Sequence, residues 1–493
     1  MTTKVKATEE DELCVFCHTP HGASKGVKPL WNRDLSGVTN YAPYTSSSLD
    51  AIGIGQPGGT SKLCLSCHDG TIAIGSVNVL NGATADITMT GTGLGGTMPE
   101  GAGERTGFTR RLGTDLTNDH PISFTYDDAL AVQDGELRLP SATPEIDNRV
   151  PGVRPEVPLI DDQLQCTACH DPHIRDTIEA NIKFLRLHRL QQSEPLAGAF
   201  DASRDQICLA CHEKAGWVGS AHANSAVADE VYQAAAAALR DFPAALPVWR
   251  AACLNCHDTH TVEGARRLLR EGTDSIASPK SGGASAIEET CYQCHSSTGG
   301  VLVGQGGANF PVPDIEIDFQ DPRHMPIDAS PEVHDIGTGP ESQPGKDFIE
   351  SRALLGRGSD GNRHAECTDC HNPHRMIKNR LFNALPAIPD AAGTHDRGNT
   401  ATPSNLASGV LRGTWGVEPV YGATGFLMPP ISFNIKRGTP PIGGSTAASA
   451  PYVTREYQIC LKCHSEYAYN QPPLLGLTFG GTPPGTNDMD RYT

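Results

Sequence analysis

The sequence predicts a mostly irregular, coil-dominated fold with few short helices and minor strands, and three observations carry that prediction. The 493 residues include 52 Gly and 37 Pro, which favour turns and irregular backbone. Only 38% are hydrophobic and 6% aromatic, too little apolar side chain for ordinary domains at this length. All 16 cysteines fall in C-x-x-C-H pentapeptides, so whatever binds there must supply the missing apolar mass.

The eight pentapeptides are CVFCH (Cys14, Cys17, His18), CLSCH (Cys64, Cys67, His68), CTACH (Cys166, Cys169, His170), CLACH (Cys208, Cys211, His212), CLNCH (Cys253, Cys256, His257), CYQCH (Cys291, Cys294, His295), CTDCH (Cys367, Cys370, His371) and CLKCH (Cys460, Cys463, His464). A zinc ribbon needs paired C-x-x-C but no His after each, and a disulfide framework would not place His at one fixed offset. Covalent c-type haem explains both. Two thiols one short turn apart form thioethers to the vinyl groups, and the next His is carried under the porphyrin to the iron. The expectation is eight covalent haems, with about 60 residues of chain to each.

Motif starts are separated by 50, 102, 42, 45, 38, 76 and 93 residues. The chain therefore divides into an N-terminal two-haem region (1–160), a dense four-haem core (161–300) and a C-terminal two-haem region with a long Gly/Pro-rich wrap (301–493), packed as one continuous unit. The gaps 69–165 and 375–459 read as ordered wrapping with short strands and turns, since structureless loops that long are improbable in a compact protein. Each motif is expected on a helical turn of its own. Elsewhere, 225–242 combines a Ser start, early acids and an alanine run, the best helix signal in the chain. Shorter helices are expected over 345–356 and 262–272, and 71–80 carries weak strand character because glycine interrupts its alternation.

Of 19 histidines, eight are proximal and eleven remain: His21, His120, His173, His188, His222, His260, His324, His334, His364, His374 and His395. Four recur three residues after a proximal His, in CHTPH (His21), CHDPH (His173), CHDTH (His260) and CHNPH (His374). Such a His cannot reach the far face of its own porphyrin, so it must serve a different iron and hold two haems close together. His120 in NDHPISF, His324 in PRHMPI, His222 after the fourth motif and His364 just before the seventh complete a set of eight distal ligands. His188, His334 and His395 read as solvent- or propionate-facing. Met325 and Met376 abut expected ligands and read as packing; bis-histidine ligation keeps the haems low-spin and low in potential.

Attachment by this motif takes place outside the cytoplasm, so export is expected. MTTKVKATEEDELC shows no apolar run of signal-peptide length and reads as a processed or misassigned start. No later segment approaches the roughly 20 apolar residues of a membrane span. A formal charge of −18 argues against nucleic acid and anionic membranes as partners, and suits solubility.

On CHTPH, CLSCHDGT, NDHPISF, CTACHDPH, HAECTDCHNPH and YQICLKCH, scattered along the whole chain, the sequence resembles the secreted multihaem c-type cytochromes of metal-reducing microbes, in particular the filament-forming extracellular cytochromes known as nanowires, here as an octahaem member. The resemblance implies a coil-rich fold with eight bis-histidine haems in one continuous chain. It also implies stacked and T-shaped pairs, and a distal His supplied across the subunit boundary, a position His21 matches. The haem number and the 375–459 insert depart from shorter members and leave the assembly interface open.

The expected function is electron conduction through stacked haems to an extracellular acceptor, in a polymeric filament exchanging electrons with redox partner proteins. The protein is not expected to be an enzyme. The alternatives are an octahaem oxidoreductase, reducing nitrogen or sulfur oxyanions or oxidising hydroxylamine, and a monomeric periplasmic shuttle. An enzyme needs one iron open on its distal side. No C-x-x-C-K variant marks such a haem, and the remaining histidines suffice to close all eight.

Overall fold

The structure is a computed structural model and describes all residues except 1–3, 47–48, 84–85, 102–108, 147–154, 175–182, 263–265, 271–285, 308–311, 321–366, 385–405, 423–429, 466 and 468–493. Among the described residues, coil and turn dominate. The described strands form three two-stranded antiparallel ribbons: Lys6–Ala7 with Met89–Thr90, Phe124–Thr125 with Gln163–Leu164, and Gly416–Val420 with Ser432–Lys436. Among the described residues, no helix is long and apolar enough to cross a membrane.

All eight motifs sit on a helical turn. Helices Gly59–His68, Cys166–Cys169, Ala286–His295, Cys367–Cys370 and Tyr457–Cys460 carry five. The 3-10 turns Leu13–Phe16, Ile207–Ala210 and Ala252–Asn255 carry the others. The turn closes through the backbone, with the His amide donating to the first Cys carbonyl, as His170 does to Cys166 and His257 to Cys253, both at 2.9 Å. That bond sets the two thiols and the imidazole on one short arc.

The 225–242 expectation is corrected. Only Ala234–Leu239 is helical. Val231 and Tyr232 pair instead with Pro247 and Leu302, and the Tyr232 ring packs edge-on against Phe242 at 5.1 Å. A β-branched and an aromatic residue gain more from that buried extended pairing than from helix propensity. Over 262–272 the described backbone shows a single 3-10 turn, Arg266–Leu268, with Arg267 at a φ of 58°. Its chain is drawn into a bridge between Leu269 and His257. Residues 71–80 form no strand, and Leu80 makes only an isolated bridge to Ala83. The 345–356 segment lies outside the described residues. Among the helices not anticipated is Asp128–Asp134, where Asp127 caps the first turn by accepting from the Leu130 amide and Gly135 ends it in the left-handed region at a φ of 75°.

Apolar packing is local. One cluster gathers Phe124, Tyr126, Ile146, Leu209 and Trp217; a second centres on Tyr232, Phe242, Leu246 and Leu302; a third on Phe382, Tyr452 and Ile459. Each lies beside motif turns, and none extends along the whole molecule.

Candidate functional site

The motifs lie next to one another in chain order. Thiols come within hydrogen-bonding reach at Cys64 and Cys166, at Cys208 and Cys253, and at Cys291 and Cys367. The intervening steps bring Cys17 near Cys67, Cys169 near Cys208, Cys256 near Cys294 and Cys370 near Cys460. Tight and looser steps thus alternate from the first motif to the eighth.

A repeated device makes the tight steps. In each, a polar side chain just ahead of one motif accepts a hydrogen bond from the first Cys amide of the next. The acceptors are Ser61 Oγ for Cys166 at 3.0 Å, Gln206 Oε1 for Cys253 at 3.2 Å and Glu288 Oε1 for Cys367 at 3.2 Å. Ser61, Gln206 and Glu288 are buried, so each bond forms away from competing water. Sequence reasoning missed these three. Their only signal is a polar residue two or three places before the first Cys of the second, fourth and sixth motifs.

The histidines meet in facing pairs. Ring centres are 6.1 Å apart for His18 and His173, 6.3 Å for His120 and His212, and 6.2 Å for His170 and His260. They are 6.4 Å apart for His222 and His295 and 6.2 Å for His257 and His374. Each pair joins the His of one motif to a His outside any motif. Two imidazoles that share one metal, each nitrogen about 2 Å from it and each ring centre about 1 Å further out, have centres about 6 Å apart. The pairs fit a haem iron closed on both faces.

Tautomers agree with that role. A carbonyl oxygen can only accept, so Nδ1 must carry the proton where it bonds to one, and Nε2 keeps its lone pair. His18 Nδ1 donates to Pro29 O at 2.8 Å, His68 to Arg110 O at 2.6 Å and His170 to Lys183 O at 2.8 Å. His257 donates to Arg267 O at 2.8 Å and His371 to Val410 O at 2.9 Å. Among the second histidines, His120 donates to Pro121 O at 3.0 Å and His222 to Pro373 O at 3.2 Å. His173 and His260 donate to carboxylates instead, those of Asp171 at 2.9 Å and Asp119 at 3.1 Å.

Burial holds His170 and His295 down at about 4 and His212 and His374 at about 3, so these rings are neutral. His260 departs from this. Burial opposes its charge, but the hydrogen bond and charge of Asp119 outweigh that and raise it above the ordinary value.

Five of the eight distal positions read from the sequence, His120, His173, His222, His260 and His374, therefore face a motif His. His21 is exposed, and among the described residues no imidazole faces His21, His68 or His371. His188 lies off the pairs and contributes its backbone carbonyl to the Ile207 amide at 2.8 Å. His324, His334, His364, His395 and Met325 lie outside the described residues. The Met376 carbonyl accepts from the Ala221 amide at 2.8 Å beside the His222 loop.

Residues 246–300 match the family described as the doubled CXXCH motif. No curated protein matches the chain. The matched stretch holds the fifth and sixth pentapeptides, and its doubled motif is that of multihaem c-type cytochromes, a class whose business is electron transfer.

Proposed function

We propose that this chain is an octahaem c-type cytochrome, exported from the cell, that conducts electrons through stacked bis-histidine haems to an extracellular acceptor as part of a polymeric filament. The order of the motifs carries this reading: eight attachment turns adjoin one another in sequence, without a break, from Cys14 to Cys463. Regions 1–160, 161–300 and 301–493 would hold two, four and two haems of that one line.

The haem supplies a one-electron couple when bound. The chain's own residues do the rest. Paired imidazoles at 6.1–6.4 Å leave no coordination site to be filled or vacated on electron transfer, which keeps reorganisation small. The Ser61, Gln206 and Glu288 bonds fix the spacing of successive turns.

The ligand pattern supports self-association. His173, after the third motif, faces the His of the first; His260, after the fifth, faces that of the third; His374, after the seventh, faces that of the fifth. Continued by one step, the same rule makes His21, after the first motif, the partner of His371 in another copy. The acidic exterior, with a charge of −18, suits exchange with basic faces of redox partner proteins.

Electron microscopy of the secreted protein, with haem counted by intact mass, tests the reading. Fibres carrying eight haems per chain are expected, and His21→Ala should leave monomers with all haems attached. Monomers from the wild type would overturn the filament, and fewer than eight haems the octahaem assignment. A second reading, an octahaem oxidoreductase, requires one iron with an open distal side. A spectral change on adding nitrite or cyanide to intact fibres would establish it in place of the first.

A further inference from the structure

The five facing pairs among the described residues are of two kinds. The rings are near coplanar for His18 and His173 (16°), His170 and His260 (27°), and His257 and His374 (17°). They are crossed for His120 and His212 (72°) and for His222 and His295 (68°). The coplanar pairs belong to the first, third and fifth motifs and the crossed pairs to the fourth and sixth, so from the third motif to the sixth the two kinds alternate. Chain routing separates them. In a coplanar pair the second His follows another motif by three residues and reaches back two motifs. In a crossed pair it comes from a loop between motifs and reaches forward two.

Resting on the assignment of each pair to one haem iron made above, we propose that ring orientation sorts the haems into two redox classes that alternate along the chain, coplanar pairs holding the lower-potential haems and crossed pairs the higher. Low-spin ferric iron has one vacancy in its π-symmetry d orbitals. Coplanar imidazoles both donate into the orbital that carries the vacancy, whereas crossed imidazoles address orthogonal orbitals and only one meets it. Coplanar ligation therefore favours the ferric state.

The groups behind the rings act in the same direction. The crossed pairs' loop histidines, His120 and His222, donate to backbone carbonyls, which are neutral. His260 donates to Asp119, which is 3% exposed, accepts from the Thr261 amide at 3.1 Å through the same oxygen, and has no hydrogen-bond partner for its second oxygen. A carboxylate so buried keeps its charge directed at the imidazole, and an outer partner of this kind makes the ligand more basic. Asp171 backs His173 likewise, but it also pairs with Arg186 at 3.2 Å, and the His173 ring is 73% exposed, so its effect is weaker. Both carboxylates fall on coplanar pairs. Asp119 is a positioning and tuning residue for the haem of the third motif.

Electron paramagnetic resonance of the fully ferric holoprotein, followed through a potentiometric titration, tests this. Two signal families are expected: rhombic spectra from coplanar pairs, and single large-g features from crossed pairs that integrate to at least two irons per chain and vanish first on reduction. Asp119→Asn should raise the midpoint of one rhombic component by about 59 mV, a roughly tenfold lower ferric/ferrous ratio at a fixed potential for one electron, and leave the large-g features in place. A low-spin protein with a single family, or large-g features that titrate with or below the rhombic ones, overturns the two classes while leaving the ligation intact. A high-spin ferric spectrum would instead show that the ligation itself is wrong. The wild-type titration decides the question even if Asp119→Asn fails to fold.

Discussion

Arg375 lies 2.7 Å from Glu136, although 239 positions separate them in the chain. Lys214 reaches the other oxygen of the same carboxylate at 2.9 Å. One acid thus ties the segments that present His212 and His374. Burial alone would raise the Glu136 carboxyl, but the bonds and charges of Lys214 and Arg375 outweigh it and hold the group at about 2.

Acid stability follows from that depression. The folded value lies below the ordinary one, so the Glu136 contribution is fully present above about pH 4.5 and is lost as pH falls toward 2. Glu136→Gln should lower stability by about 1–2 kcal/mol at neutral pH, allowing for partial exposure, and the difference from wild type should vanish near pH 2. Denaturant titrations at pH 7, 4 and 2 check this; a constant difference across that range would refute it.

Removing His374 should open the iron served by His257, because these rings face each other at 6.2 Å. His374→Ala is expected to convert one haem per chain from low-spin to high-spin and to create one cyanide-binding site. Optical spectra with cyanide titration measure both, and an unchanged low-spin spectrum would count against the pairing.

Gly75 stands where its carbonyl accepts from the Ile87 amide at 2.8 Å, and a methyl group there would overlap the Ile87 carbonyl oxygen. Gly75→Ala should cost about 1–3 kcal/mol, the usual range for overpacking. Thermal denaturation of the holoprotein gives the value, and a melting point equal to wild type would show that the loop yields freely.

Chain made without haem attachment should not fold. Its apolar clusters are small and separate, and facing pairs such as His18 and His173 would join distant segments through a bound haem. Far- and near-ultraviolet circular dichroism of cytoplasmically expressed protein is expected to show a coil spectrum without a cooperative melt. A sharp transition would mean that the polypeptide alone carries the fold.

Much of this molecule can be read from spacing. The eight pentapeptides carry their own helical turns, closed by the His amide on the first Cys carbonyl, the geometry that thioether attachment would need. The i+3 spacing of His173, His260 and His374 predicts that each faces the His of another motif, as the rings do, because a porphyrin on their own motif would stand in their way. What lies beyond local sequence is set by tertiary routing. Tyr232 leaves a strong alanine-rich helix pattern for a buried partner at Leu302. Ser61, Gln206 and Glu288 look like ordinary polar residues until the next motif is placed against them. Ring orientation is still less accessible, since His120 and His222 take theirs from loops whose path no periodicity records.

The long-range histidine pairs also bear on damage. A backbone nick anywhere between His18 and His173 would leave both fragments moored to the same group, and the spans from His120 to His212 and from His170 to His260 overlap the next in turn. The chain is woven rather than strung, so with those ligands in place a protease in the surroundings could cut it many times before the assembly comes apart.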